Sequence, residues 1–226
     1  MDKARAGEVM RTHGWLSRRP EPFRMEVLKR CHLRRIGAGE ALFDAGDRSA
    51  GVFGLVEGNI GVELPNGQVA TIKSPGYWMG EGTGFRPGSR MATMIASEAS
   101  HVLFLPLAEF ERLIANAEYC RYFAILTLEH LEEAISVIGD LMATDPMARV
   151  AGRLLTLIRA QPDGRATFPI TQGELASMCG LTRQTVNKVV RRLTADGVVA
   201  SKYGHLTVLD ATKLHSRARR VWQTAS

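Results

Sequence analysis

The sequence has few cysteines and no long apolar run. Its three cysteines, Cys31, Cys120 and Cys179, are odd in number and far apart. This pattern argues for a reducing compartment and against a disulfide framework. No stretch reaches the about 18 apolar residues that a membrane span needs, and the N-terminal segment has no apolar core typical of a secretion signal. We therefore expect a cytoplasmic protein with no membrane partner.

Clustered metal ligands are also missing from the sequence. It contains no Cys-x-x-Cys or His-x-His pair, and its histidines are scattered. They are His13, His32, His101, His130, His205 and His215. We therefore expect no metal, no haem and no iron–sulfur cluster. An enzyme built on a cupin-like β-roll would need such ligands, so it remains only a remote alternative, and we predict no enzymatic activity.

Acidic residues are scarce in the C-terminal third. From Asp145 onward the chain has thirteen Lys and Arg but five Asp and Glu, whereas the part before it has sixteen and eighteen. This imbalance indicates a polyanionic partner, and nucleic acid is the first candidate. An anionic membrane surface is the competing partner, but no basic amphipathic helix with exposed Trp or Phe supports it.

Short β-like runs separated by glycine occupy residues 33–107. Many short strands with regular turns predict a sandwich or barrel-like roll, and Pro65–Gly67 predicts a hairpin turn within it. A short helix is expected from Leu107 to about Ala117. A long helix is expected from about Cys120 to Met142.

The long helix carries apolar residues at the spacing of a two-stranded coiled coil. The intervals are 4, 3, 4, 3 and 4 residues. The residues are Ala124, Leu128, Leu131, Ile135, Ile138 and Met142. The pattern predicts a parallel homodimer whose seam includes Leu128, Leu131, Ile135, Ile138 and Met142. The alternative is a helix that packs on the core of its own domain.

The basic third carries the signals of a helix-turn-helix. Asp145-Pro146 predicts a helix start and a domain boundary. Thr171 and Glu174 have the spacing of a capping box, Gly180 can take positive φ in a tight turn, and Thr182 can cap the next helix. A strand pair with a turn at Gly204 would form a wing. Pro162–Gly164 predicts a further turn.

The second helix of this motif has a polar face without acids. The face consists of Arg183, Gln184, Asn187, Lys188 and Arg191, opposite Val186, Val189, Val190 and Leu193. Arg183 suits a guanine and Gln184 an adenine, whereas Lys188 suits a base or a phosphate. Thr185 can offer its methyl group to a thymine. Expected phosphate contacts are Thr171, Thr182, Asn187, Arg191, Lys202 and His205.

Together these motifs resemble the cyclic-AMP receptor protein/FNR family of transcription regulators. LFDAGD at Leu42–Asp47 is similar to the family's cyclic-nucleotide-binding β-roll, and TQGELASMCGLTRQTVNKVVRRL is similar to its winged helix-turn-helix. The resemblance implies an α+β fold with a β-roll effector domain (1–119), a dimerisation helix (120–144) and a winged helix-turn-helix DNA-binding domain (145–226). It also implies a homodimer that binds a palindromic operator in double-stranded DNA, acts with RNA polymerase and responds to a small effector.

The family's phosphate-binding segment corresponds to Gly80-Glu81, the loop that follows, and Arg90-Met91-Ala92. The resemblance implies that Glu81 accepts a ribose 2′-hydroxyl and that Arg90 pairs with a cyclic phosphate. Backbone N–H groups from Gly82 to Gly84 would add an anion nest. The implied effector is cAMP or cGMP.

Three positions of the implied effector site depart from the family pattern. Met91 stands where the family has a hydroxyl donor to the phosphate, and Ala134 and Ile135 stand where cAMP-sensing members place hydroxyls against the purine. His130, one turn earlier, is an alternative contact. We therefore expect weak base selectivity. A constitutive DNA-binding regulator with a vestigial pocket, or one with another effector, remains the alternative.

Ile138→Asp is expected to break the dimer, because it places a carboxylate in the apolar seam. Light scattering coupled to gel filtration would report a monomer mass. Ser136→Asp adds the same charge outside the seam and serves as the control. An Ile138→Asp variant that stays dimeric would refute the seam.

Overall fold

The computed structural model describes residues 1–86, 88–159, 166–202 and 204–218. Two compact units form, Met1–Leu131 and one that begins at Glu132. The first unit begins with helices α1 (Lys3–Thr12), α2 (Gly14–Ser17) and α3 (Glu21–Arg30). Its strands are β1 (His32–Ile36), β2 (Ala41–Phe43), β3 (Gly51–Glu57), β4 (Ile60–Glu63), β5 (Val69–Lys73), β6 (Trp78–Met79), β7 (Thr93–Ala96) and β8 (Ser100–Pro106). Helix α4 (Gly82–Phe85) follows β6, and α5 (Leu107–Ile114) and α6 (Ala117–Met142) follow β8.

The strands form two antiparallel sheets, with orders β1-β8-β3-β6 and β2-β7-β4-β5. The predicted β-roll is therefore confirmed. Gly58, with φ of 90°, lies between β3 and β4, which belong to different sheets. Gly67, with φ of 78°, lies in the predicted hairpin turn between β4 and β5.

An aromatic cluster joins the N-terminal helices to α6. The Phe123 ring centroid lies 5.2 Å from that of Trp15, 5.4 Å from that of Phe23 and 4.8 Å from that of Phe110. Trp15 also donates its indole N–H to the Tyr122 carbonyl at 3.2 Å. These contacts fix the first half of α6 in the core of the first unit. Helices α1–α3 were not predicted from the sequence.

Helix α6 begins three residues before its predicted start at Cys120, and α5 ends before Ala117. The Asn116 side chain explains the early start, because its Oδ1 accepts the N–H groups of Glu118 and Tyr119 at 3.0 and 3.1 Å. Farther along α6 the predicted seam is exposed, between 54% and 76% for each side chain. These residues are Leu128, Leu131, Ile135, Ile138 and Met142.

The second unit contains the end of α6 and all the remaining elements. These are α7 (Pro146–Arg159), β9 (Thr167–Phe168), α8 (Gln172–Cys179), α9 (Arg183–Ala195), β10 (Val199–Lys202), β11 (His205–Val208) and α10 (Ala211–Ala218). Asp145 accepts the N–H groups of Met147 and Ala148, so the predicted cap of α7 is present. The predicted turn at Pro162–Gly164 lies outside the described residues.

The helix-turn-helix consists of α8 and α9. Thr171 and Glu174 form the predicted capping box of α8, and Gly180 follows with φ of 58° and ψ of 38°. The Thr182 hydroxyl accepts the Thr185 N–H and caps α9. Strands β10 and β11 form the wing, where Lys202 pairs with His205, and β9 extends this sheet.

Candidate DNA-binding face and effector site

Helix α9 has two chemically distinct faces. Val186, Val189, Val190 and Leu193 are buried, whereas Arg183, Gln184, Lys188 and Arg191 are exposed. No Asp or Glu occurs in α9, so no carboxylate of the helix neutralises these cations. Since phosphates attract such a face and base edges accept from it, the arrangement suits duplex DNA.

Three other predicted DNA contacts are already used within the protein. Asn187 is half-buried and donates its side-chain amide to Gln172 Oε1 at 2.8 Å, which ties α9 to the start of α8. The Thr171 hydroxyl donates to Glu174 Oε2 at 2.8 Å and accepts the Glu174 N–H at 3.1 Å. These groups shape the motif, and Thr182 does the same for α9. The wing residues Lys202 and His205 are exposed.

Arg149 holds the turn before α9, a role that the sequence analysis missed. Its guanidinium donates to the Ala143 carbonyl at 2.8 and 2.9 Å and to the Cys179 carbonyl at 3.3 Å. One side chain of α7 therefore contacts both the end of α6 and the end of α8. A basic residue in an amphipathic helix gives no sequence signal for such contacts.

Arg90 is buried, with 5% of its surface exposed, and is already hydrogen-bonded. Its Nη1 donates to the Gly80 carbonyl at 2.7 Å and its Nη2 to the Gly51 carbonyl at 2.6 Å. The guanidinium also lies 4.2 Å from the centroid of the Phe43 ring. Burial lowers the pKa of Arg90, and the charges of Glu81 and Asp47 oppose that shift.

Glu81 is buried as well, with 4% exposed, and two side chains of α6 contact its Oε1. Thr127 donates at 3.4 Å, and His130 Nδ1 lies at 2.8 Å. The imidazole stacks on Tyr77 with centroids 4.8 Å apart, and its buried Nε2 has no partner among the described residues. His130 is therefore half-buried, with 22% of its side chain exposed, and its ring is used in contacts within the protein.

The remaining predicted effector residues differ in burial. Gly82 begins α4, Ala92 is half-buried, and Met91 is 77% exposed. Ala134 and Ile135 are on α6, in the second unit, and both are exposed.

A cavity of about 570 Å³ lies beside α4 and α6 in the first unit. Its lining includes Phe85, Met91, Ala124 and Leu128 but neither Glu81 nor Arg90. The surface of this cavity is mainly apolar, and Glu81 and Arg90 lie outside its lining.

Within the described ranges, the structure has neither a metal-binding cluster nor a membrane-spanning helix. No group of three or more His, Cys, Asp or Glu residues there could hold a metal ion. In the same part of the chain, no helix is long and apolar enough to cross a membrane.

Burial raises the pKa of both the Cys31 and the Cys179 thiol to about 12, so these thiols are poor nucleophiles at neutral pH.

Comparisons with known proteins find one matching family model in each unit. The family model "Crp-like helix-turn-helix domain" matches residues 148–217, and "Cyclic nucleotide-binding domain" matches residues 33–117. The chain is a homologue of the CRP/FNR-family transcription regulators. It is a transcription regulator with a DNA-binding helix-turn-helix domain and a cyclic nucleotide-binding domain. Its homologues are regulators rather than enzymes.

Two curated relatives illustrate the similarity. The "cAMP-activated global transcriptional regulator CRP" of Pasteurella multocida is 25% identical over 197 residues, which cover 82% of this chain and 93% of the relative. A "CRP-like cAMP-activated global transcriptional regulator" of Mycobacterium tuberculosis is 27% identical over 191 residues, covering 80% and 85%.

Solved structures share the fold of this family. FixK2 from Bradyrhizobium japonicum has a TM-score of 0.72 at 19% identity and covers 83% of this chain and 96% of its own. A CRP/FNR-family transcriptional regulator from Thermus thermophilus has a TM-score of 0.66 at 23% identity, covering 84% and 100%. The predicted combination of β-roll, long helix and winged helix-turn-helix is confirmed as the fold of the chain.

Arg90→Ala is expected to destabilise the first unit by roughly 1–3 kcal/mol, because the Gly51 and Gly80 carbonyls each lose a hydrogen bond and Glu81 loses a nearby cation. Urea unfolding followed by tryptophan fluorescence would measure the loss. Arg86→Ala removes an exposed arginine four residues away and is the matched control. Equal stability of the two variants would contradict a structural role for Arg90.

Proposed function

We propose that this regulator is a homodimer that binds palindromic DNA in a sequence-specific manner and whose DNA affinity is set by a small effector of the β-roll unit. The observation that carries the proposal is the exposed, acid-free cationic face of α9, in a motif whose two helices are both capped. Such a helix, preceded by a glycine turn, matches the geometry of a recognition helix in the major groove.

The reading roles follow from position along α9. Arg183 stands at the first turn, where a recognition helix meets base edges, and its planar fork suits guanine O6 and N7. Gln184 suits adenine, Lys188 a base or a phosphate, and the half-buried Thr185 a thymine methyl. Phosphate contacts are proposed for Arg191 and for the capped helix ends. They also include Lys202 and His205 of the wing, whereas Asn187 positions α9.

The exposed seam of α6 supports the homodimer. Five large apolar side chains at heptad spacing face solvent in a single chain, which is costly unless another surface covers them. A second copy presents the same stripe, so the pairing is self-complementary. The two copies of α9, here called the reader helices, would be related by the dimer axis and would occupy half-sites about one helical turn apart. RNA polymerase is proposed as a further partner, from the family resemblance.

A cyclic nucleotide, cAMP or cGMP, is the proposed effector. The match to a cyclic nucleotide-binding domain and the names of the cAMP-activated relatives support it. The buried pair Glu81 and Arg90 supplies the two polar groups that a ribose hydroxyl and a phosphate need. Both groups are already bonded within the protein, so a ligand must displace or share those bonds. Because Arg90 and Glu81 are already hydrogen-bonded within the protein, the second candidate is a constitutive regulator or a regulator with another effector.

Arg183→Ala is expected to lower affinity for the selected operator by roughly 1–3 kcal/mol per half-site, because a bidentate base contact is lost. The operator is the duplex that the wild-type dimer enriches from a randomised pool, and fluorescence anisotropy at fixed salt measures the affinity. Arg192→Ala removes an equal charge from α9 outside the reader face, which consists of Arg183, Gln184, Lys188 and Arg191. If Arg183→Ala and Arg192→Ala lose equal affinity, or neither loses any, the assigned reader face is wrong.

Calorimetric titration with cAMP and, separately, cGMP is expected to give binding that Arg90→Ala loses and Arg86→Ala retains. Arg90→Lys, which keeps a charge and a donor, controls for the stability loss. Comparable heats from both nucleotides would fit a pocket without base-reading hydroxyls. If neither nucleotide binds, the effector proposal fails in favour of the second candidate, and DNA reading by α9 is unaffected.

A further inference from the structure

Gly152 of α7 lies directly against Asp140 in the last turns of α6. A Cβ at position 152 would overlap the Asp140 carboxylate oxygen Oδ1 and would lie only 3.1 Å from Cγ. The space that any other residue would fill is therefore already taken by the carboxylate. Helix propensity alone favours alanine over glycine at this position, so the glycine meets a packing requirement.

The carboxylate that Gly152 admits is held on the same face of α7. Asp140 Oδ2 accepts from the Thr156 hydroxyl at 2.8 Å, one helical turn beyond Gly152. The side chain is half-buried, and burial raises the pKa of its carboxyl. The hydrogen bond from Thr156 and the charges of Arg153 and Arg159 oppose that shift. Gly152 and Thr156 together form a seat for the end of α6.

The seated segment of α6 also carries the seam. Ile138 and Met142 lie two residues on either side of Asp140, and both are exposed. Helix α7 also carries Arg149, whose guanidinium holds the carbonyls of Ala143 and Cys179. A continuous set of contacts within the second unit thus runs from the seam, through α7, to the turn that precedes α9.

We infer that Gly152 and Asp140 are positioning residues: the missing Cβ seats the end of α6 on α7 and thereby sets the separation of the two reader helices in the dimer. The inference rests on the proposed homodimeric DNA binding. The half-sites of an operator lie at a separation fixed by the DNA helix. A displaced α6 would change the position of each reader helix relative to the seam. The half-site spacing that the dimer can bind would change with it.

Gly152→Ala can be accommodated in two ways, and both alter the seat. Either the Asp140 side chain rotates away and loses the Thr156 hydrogen bond, or α6 moves off α7. Thr156→Val removes the hydrogen bond without adding a Cβ, so it isolates the first route. Gly139→Ala is the matched control, because Gly139 is also a helical glycine near the end of α6 and a Cβ there meets nothing within 4 Å.

The experiment measures the affinity of each variant for duplexes in which the spacing of the selected half-sites changes one base pair at a time. Gly152→Ala is expected to lose about tenfold or more at the wild-type spacing, as contacting residues commonly couple by that amount, and to prefer a different spacing. Gly139→Ala is expected to keep the wild-type profile. Thermal unfolding and light scattering of the same variants show whether fold and dimer are retained.

A second arm uses the Asp140→Ala background. There the atoms that Cβ would strike are absent, so adding Gly152→Ala is expected to cause no further change. This double variant is free of the overlap, so it also serves if Gly152→Ala alone folds poorly.

Two results would overturn the inference while leaving the proposed function intact. One is a Gly152→Ala spacing profile identical to that of Gly139→Ala. The other is an equal loss at every spacing together with a lower melting temperature, which indicates a merely structural glycine. A wild-type protein that enriches no palindromic duplex would overturn the proposed function itself, and this inference with it.

Discussion

The packing of Phe123 against Trp15, Phe23 and Phe110 is the interaction on which the rest of the first unit depends. It fixes the first half of α6 in an aromatic core built by N-terminal helices and the helix that follows the β-roll. Because α6 is rigid and turns 100° per residue, fixing Phe123 also fixes which side chains of that half point away from the core. Leu128 and Leu131 are exposed for this reason.

The second half of α6 is held by polar contacts instead. Asp140 bonds to Thr156, and Arg149 bonds to the carbonyl at the end of the helix. Polar contacts are directional, so they define one orientation of α6 on α7 more narrowly than apolar packing does. A DNA-binding regulator needs a well-defined orientation of α6 on α7, because DNA imposes a fixed distance between its half-sites.

The effector site shows how tertiary structure changes the meaning of a motif. Gly80-Glu81 and Arg90 match a nucleotide-binding segment in order and type, yet each charge is already neutralised or bonded by neighbours. Arg90 holds two backbone carbonyls, and Glu81 holds a histidine of α6. A buried charge without such partners would cost several kcal/mol, so these bonds stabilise the ligand-free protein. They also raise the free energy that any ligand must supply.

Local chemistry made much of the fold predictable from sequence. A capping box, a positive-φ glycine and a heptad repeat each act over a few residues, so α8, α9, the hairpin turn and the apolar stripe of α6 could be predicted with no knowledge of their neighbours. Charge balance likewise indicated which part of the chain meets DNA. The tertiary structure alone decided that Asn187 and His130 are used internally, that Arg149 joins two helix ends, and that Gly152 makes room for Asp140. These contacts join residues 12 to 49 positions apart along the chain, with the single exception of the shorter link from Arg149 to Ala143. No local pattern encodes them, because their energy exists only once the separate elements have packed.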